Sequence, residues 1–220
     1  MKIAILGTGM VGVTIGTKLV ELGHEVRMGS RTATNEKAAA WVKTAGAKAS
    51  AGTFEAAAAF GEVVFNCTSG SGAVEALVMA GEKNLEGKVL IDVSNPLDFS
   101  KGMPPTLFVS NTDSLAEVIQ RRFPKAQVVK ALNTMSCSVM VNPRLLPDTH
   151  TTFLSGNDAS AKATVKALLS QFGWKREEVL DLGELSTARG TESLLPLWLR
   201  VWGATQNGTF NFKLVAAKPG

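Results

Sequence analysis

A doubly wound, mostly parallel α/β fold of the Rossmann type is predicted for this chain by three observations. A glycine-rich strand–turn–helix–strand unit opens it, short apolar strands then alternate with helical stretches, and the strand ends carry small polar residues. The expected division is a dinucleotide-binding part over residues 1–145 and a small α/β part over 146–220, docked closely on the first because about seventy residues make a poor independent core.

The opening unit reads Ile3-Ala4-Ile5-Leu6, then Gly7-Thr8-Gly9-Met10-Val11-Gly12. A helix follows with Val13, Ile15, Gly16, Leu19, Val20 and Leu22 at helical spacing, and Gly23-His24 leads into a strand from Glu25 to Arg31. Gly7 allows the tight turn, Gly9 lets backbone approach a pyrophosphate, and Gly12 lets helix and strand pack closely. The pyrophosphate would rest on N–H groups at the helix N-terminus, where the dipole favours negative charge. A glycine turn that holds nothing is the competing reading.

The second strand selects the cofactor. An NAD site places Asp or Glu near its end for the ribose 2′-hydroxyl, whereas this strand ends Gly29-Ser30-Arg31. A hydroxyl followed by a permanently charged guanidinium suits a 2′-phosphate, so NADP(H) is expected. Lys37 is a second candidate cation, unless its helix simply presents it to water.

Further along, Asn35 to Ala45 is helical with Gly46 as its stop, Lys48 to Ala51 is a short strand, and Thr53 caps a helix through Phe60. Glu62 to Cys67 forms a strand that ends in Thr68-Ser69-Gly70-Ser71-Gly72, and Val89 to Val93 one that ends in Ser94-Asn95-Pro96. Residues 97–112, with Gly102, Pro104 and Pro105, read as a loop. Ser114 and Glu117 have capping-box spacing for a helix to Phe123, and Gln127 to Ala131 is a strand that ends at Asn133-Thr134. Ligands collect beyond the carboxyl ends of such strands. The candidate groove is therefore Gly7–Gly12, Ser30, Arg31, Cys67, Thr68, Ser69, Asn95, Pro96 and Asn133. In the last part Thr151 to Ser155 is a strand, Asp158 caps a helix to Phe172, and Glu178 to Leu182 is a strand. Glu192 to Ala204 is an apolar helix suited to core packing, to a homodimer surface or to a substrate-site wall.

Composition narrows the chemistry. In 220 residues, 45% hydrophobic and 19% charged, no apolar run approaches a membrane span. Met1-Lys2 leads straight into the first strand, so no cleavable leader is expected. Cys67 and Cys137 imply no disulfide framework, and a reducing cytoplasm is the expected setting. The net charge of +4 is spread without a basic block, which argues against nucleic acid. The absence of tyrosine excludes a phenolic proton donor. Only His24 and His150 are present, too isolated for a metal site, and neither is assigned a catalytic role.

With these residues in place, the chain resembles the coenzyme F420-dependent NADP oxidoreductase family and the related cytosolic domain of six-transmembrane metalloreductases. The resemblance rests on Gly7-Thr8-Gly9-Met10-Val11-Gly12, Gly29-Ser30-Arg31, Val93-Ser94-Asn95-Pro96, Val129-Lys130-Ala131-Leu132-Asn133 and Leu195-Pro196-Leu197-Trp198, in the same order over almost the whole chain. It implies hydride transfer between NADP(H) and a flavin or deazaflavin of the F420 type. The glycine turn would hold the pyrophosphate, the Ser-Arg pair the 2′-phosphate, and the later strand ends the nicotinamide. Two departures stand out: F420 reductases of the family often carry His where this chain has Asn133, and the cation after Ser30-Arg31 lies further along, at Lys37.

Ring-to-ring hydride transfer asks the protein for placement and electrostatics, so no catalytic side chain is assigned. Reduction of a small carbonyl or imine would call for a positioned proton donor, and Lys130 and Asp92 lie inside strands that read as buried. A protein that binds NADPH without turning it over is the third reading. The expected partner is a small-molecule redox substrate, with neither nucleic acid nor membrane.

Overall fold

The protein is described by a computed structural model covering residues 1–217. The parallel half is laid down by β1 (Lys2–Leu6), α1 (Met10–Glu21), β2 (Glu25–Ser30), α2 (Glu36–Ala45), β3 (Ala49–Thr53), α3 (Phe54–Phe60) and β4 (Val63–Asn66). Then come α4 (Gly70–Ala80), α5 (Glu82–Leu85), β5 (Val89–Asp92), and α6 (Leu115–Arg122), reached after a small two-stranded excursion. Beyond β8 (Gln127–Ala131) lie α7 (Cys137–Val141), β9 (Thr152–Gly156), α8 (Ala159–Gln171), β10 (Val179–Asp181), α9 (Ala188–Ser193) and α10 (Leu195–Thr205).

Eight strands form one sheet in the order β10-β9-β8-β5-β4-β1-β2-β3. All neighbours are parallel except β8 and β9, which pair antiparallel with Lys130 opposite Ser155. Chain direction along the sheet reverses between β1 and β4, and this switch opens a crevice beyond their carboxyl ends.

Strand residues alternate between two cores, as a sheet covered on both faces requires. Ile3 and Ile5 of β1 join Ile15, Leu19 and Trp41 on one face, while Ala4 and Leu6 join Phe54, Ala57 and Leu77 on the other. The helix starts follow their side-chain chemistry. Asn35, Thr53, Ser114 and Asp158 each accept the N–H three residues on. The box expected at Ser114 forms only in half: Glu117 Oε2 takes the Ser114 hydroxyl at 2.7 Å, while the Ser114 N–H goes to Asp113 Oδ1.

The sequence reading departs from the structure in three places. Residues 97–112 are not all loop: β6 (Leu97–Asp98) pairs antiparallel with β7 (Thr106–Leu107), and two-residue strands are too short to show any periodicity. The expected boundary at residue 145 does not divide the sheet, because β9 and β10 continue it and Val165, Leu168 and Leu169 of α8 enter the same core as β1. The apolar segment 192–204 is two helices, and in α10 only Leu195 is buried, with Leu197 and Trp202 exposed. Core packing therefore does not explain its composition. Among the described residues no helix is long and apolar enough to cross a membrane.

Candidate functional site

At the switch between β1 and β4 lies a cavity of about 250 Å³. Gly7, Thr8 and Gly9 form one side, Ser30, Arg31 and Asn35 a second, and Cys67, Thr68 and Ser69 a third. The glycines divide their work as the motif requires. Gly7 has φ +119°, and a Cβ there would lie 2.7 Å from the Cys67 carbonyl oxygen, so only glycine fits between the two strand ends. A Cβ on Gly12 would sit 2.1 Å from the Gly7 carbonyl oxygen, which explains how closely α1 rides on β1. Gly9 differs from both: a Cβ there meets no protein atom within 4 Å, so the space over it is the cleft itself.

Two helix N-termini open here. Neither Gly9 before α1 nor Ser69 before α4 caps its helix with a side chain, and neither first turn carries an acid. The leading N–H groups of α1 have no intrahelical partner, which leaves donors and a positive dipole end for an anion. Met10 is 77% exposed at the start of α1, Val11 is partly buried, and Gly12 is buried. None of the three lines the cavity, and what Met10, Val11 and Gly12 bring to its mouth is the start of α1.

At the end of β2 the Arg31 guanidinium makes no ion pair or hydrogen bond among the described residues. The Ser30 hydroxyl donates to the Thr32 carbonyl at 2.6 Å, so its hydrogen is occupied and it shapes the loop that presents Arg31. Lys37 is exposed on α2 and does not line the cavity; Asn35 does. Asn35 Oδ1 caps α2 through Ala38 N–H at 3.0 Å, and its amide N–H₂ remains a donor near Arg31. The sequence placed Asn35 inside the helix, and only the fold shows that it caps α2 and faces the cleft. The set fits a dinucleotide phosphate: backbone N–H groups, an open glycine, one permanent cation and one amide donor, with no carboxylate at the end of β2.

Asn95, Pro96 and Asn133 lie outside this cavity, at the ends of β5 and β8. The two asparagines lock together: Asn95 Nδ2 donates to the Asn133 carbonyl and Asn133 Nδ2 to Asn95 Oδ1, both at 2.9 Å. Asn133 Nδ2 also reaches the Thr191 carbonyl at 3.2 Å, so its amide donors serve the protein. Leu132, buried just before it, is left-handed at φ 63°, a conformation that costs a non-glycine residue about 1–2 kcal/mol. At Gly70 a Cβ would lie 1.9 Å from the Asn95 carbonyl oxygen, so this glycine lets α4 start against the end of β5.

Beneath these strand ends is a charged cluster that joins Lys130 and Asp92, expected as buried strand residues, to Glu192, expected at the start of an apolar helix. Lys130 Nζ contacts Asp92 Oδ2 and Glu192 Oε1, each at 2.7 Å, and donates to the Ser94 carbonyl at 2.5 Å. Asp92 Oδ1 accepts from Asn66 Nδ2 at 2.8 Å and Ser94 Oγ at 2.7 Å. Glu192 accepts the Leu115 and Ala116 N–H groups at the start of α6. Burial opposes the Lys130 charge, but the Asp92 and Glu192 carboxylates overcome it and hold the ammonium above its ordinary value. Burial pushes the Glu192 carboxyl up against the pull of Lys130. Burial, then the Asp92 charge, pushes the Cys67 thiol far up, so Cys67 lines the cavity as a neutral thiol. Both histidines are structural. His24 bonds Gln171, and His150 lies buried between the Pro143 carbonyl and the Asn211 amide, edge-on to Trp174. Among the described residues no group of three His, Cys, Asp or Glu could hold a metal ion.

Comparison with known proteins agrees with this geometry. The family described as NADP oxidoreductase, coenzyme F420-dependent, matches residues 2–96. A solved structure from Arthrobacter sp. FB24, described as a candidate F420-dependent NADP reductase, is 49% identical with TM-score 0.93, over 98% of this chain and 100% of that one. Rat metalloreductase STEAP3 is 32% identical over 90% of this chain, which spans only 38% of that protein's length. An imine reductase from Streptomyces aurantiacus shares the fold at 20% identity and TM-score 0.65, over 94% of this chain and 63% of its own.

Proposed function

This chain belongs to the coenzyme F420-dependent NADP oxidoreductase family, and on that footing we propose that it transfers hydride between NADP(H) and a flavin or deazaflavin ring. The observation that carries the reading is the state of the ionisable groups at the ends of β5 and β8. Lys130, Asp92 and Glu192 are 2% exposed or less, and both carboxylates are paired with the lysine, so none is poised to protonate a carbonyl or imine.

The bound nicotinamide would supply the hydride from its C4, with solvent as the source of the accompanying proton. The chain's part is placement. The α1 N-terminus and Gly9 receive the pyrophosphate, and Arg31 and Asn35 the 2′-phosphate. The Asn95–Asn133 lock gives the nicotinamide end a rigid floor, and Asn133 Oδ1, which accepts no hydrogen bond among the described residues, is left for a carboxamide N–H. The physiological acceptor is a small-molecule redox substrate of this ring type.

Single-turnover absorbance at the NADPH band, with F420, FMN, FAD and a cyclic imine offered in turn, tests the reading. Oxidation with a flavin-type acceptor and none with the imine is expected. Oxidation by the imine alone would overturn the ring assignment, and tight NADPH binding without oxidation by any acceptor would point to a sensor.

The cofactor assignment has its own test. A charge-assisted hydrogen bond contributes roughly 1.5–3 kcal/mol, or about 10- to 150-fold in affinity. Arg31→Ala should weaken NADPH by a factor in that range and leave NADH nearly unchanged in a titration. Equal losses for the two would sink the 2′-phosphate role.

A further inference from the structure

We propose that Glu75 reads the exocyclic amino group of the adenine, making the cleft selective for an adenine-bearing dinucleotide; this rests on the NADP(H) reading above. The cavity has a fourth wall that the strand ends do not supply. Gly72, Glu75, Ala76 and Met79 line it, spaced i, i+3, i+4 and i+7 on α4, so one face of the helix forms the wall. From Gly72 beside Ser69 that face extends about 10 Å to Met79, at 1.5 Å of rise per residue.

The wall's chemistry differs from that of the phosphate end. Ala76 and the half-exposed thioether of Met79 offer apolar, polarizable surface suited to the flat face of a purine. Glu75 is exposed and makes no hydrogen bond or ion pair among the described residues, although Arg31 lines the same cavity. A carboxylate only accepts hydrogen bonds, and so do the phosphates, so Glu75 repels the phosphate end and must meet a donor. An adenosine 2′-phosphate offers two kinds of donor, a ribose hydroxyl and the amino group of the base, and beside an apolar wall suited to the purine the donor at hand is the amino group. The unpaired Arg31 and Glu75 thus divide the adenosine half between them, the cation for the 2′-phosphate and the acid for the base.

The test compares the dissociation constants of NADPH and its purine analogue, in which a hydrogen replaces the amino group and the ring nitrogens, ribose and phosphates are untouched. Wild-type protein is expected to prefer NADPH by about tenfold, the lower end for a hydrogen bond to a charged group. Glu75→Ala should bring that ratio close to one, and Glu75→Gln, which keeps a neutral acceptor, should lower it part of the way. Since Glu75 makes no hydrogen bond or ion pair among the described residues, both variants should keep the wild-type melting temperature. An unchanged ratio across the three proteins, or no preference in the wild type, would overturn the assignment, including the case in which Glu75 meets a ribose hydroxyl. Wild-type protein that binds neither dinucleotide would bring down the NADP(H) reading itself.

Discussion

Lys130→Met should lower the stability of this protein by about 3–5 kcal/mol, the usual cost of removing one partner from a buried ion pair. The substitution nearly conserves volume, so the loss is electrostatic. It leaves Asp92 and Glu192, both almost wholly buried, facing the same space without a cation. For a chain of this size about 1 kcal/mol corresponds to about 2–4 °C, so the melting temperature should fall by roughly 10 °C. Because Lys130 is held above its ordinary value, its contribution is complete below the unfolded-chain value near 10.4 and is lost only as pH rises through the higher folded one. The lysine's own share of the deficit is therefore the same at pH 6 and pH 8, while the stranded carboxyls, Glu192 already pushed up by burial, should make the total larger at the higher pH. Adding Asp92→Asn should recover part of it by removing one of the stranded charges. A melting temperature within 2 °C of wild type for the single variant would show that the cluster does not hold the strand ends together.

Gly9→Val should abolish most dinucleotide affinity without unfolding the protein. Position 9 has φ −78° and ψ −179°, extended backbone that any residue adopts, and a Cβ there touches no protein atom. Valine is a poorer N-cap than glycine, which costs about 1 kcal/mol or less. Its branched side chain fills the space above the α1 N-terminus, and loss of one or two charge-assisted bonds to a pyrophosphate amounts to about 100-fold in affinity. NADPH and NADH should suffer alike, unlike the Arg31→Ala case, because the pyrophosphate is common to both. Retained binding in a calorimetric titration would reduce the turn to a structural device. Gly12 could not serve for this experiment, since a Cβ at 2.1 Å from the Gly7 carbonyl would disturb the fold first.

Much of the fold was legible because its signals are local. The glycine spacing, the apolar strand runs and the caps at Thr53, Ser114 and Asp158 each act over three to five residues. The ribbon of β6 and β7 was not legible, since two residues show no period, and neither was the left-handed turn at Leu132, because leucine is no turn former. The candidate site divides the same way. Glycine turn, Arg31 and the residues 67–69 line one cavity, whereas Lys37 is exposed outside it and Asn35 lines it instead.

By itself, the sequence determined that the N-terminal unit is a dinucleotide turn and that β2 ends in a cation where an NAD site has an acid. Both follow from residue type at short range. Only the tertiary structure decided which residues share the cleft. Residues 31, 67 and 75 meet because the sheet switches direction between β1 and β4 and α4 packs back across it. Likewise Lys130 lies between Asp92 and Glu192, 38 and 62 positions away in the chain, only because β5, β8 and α9 converge there. Local chemistry names the candidate groups, but their burial and pairing are set by contacts between elements far apart in sequence.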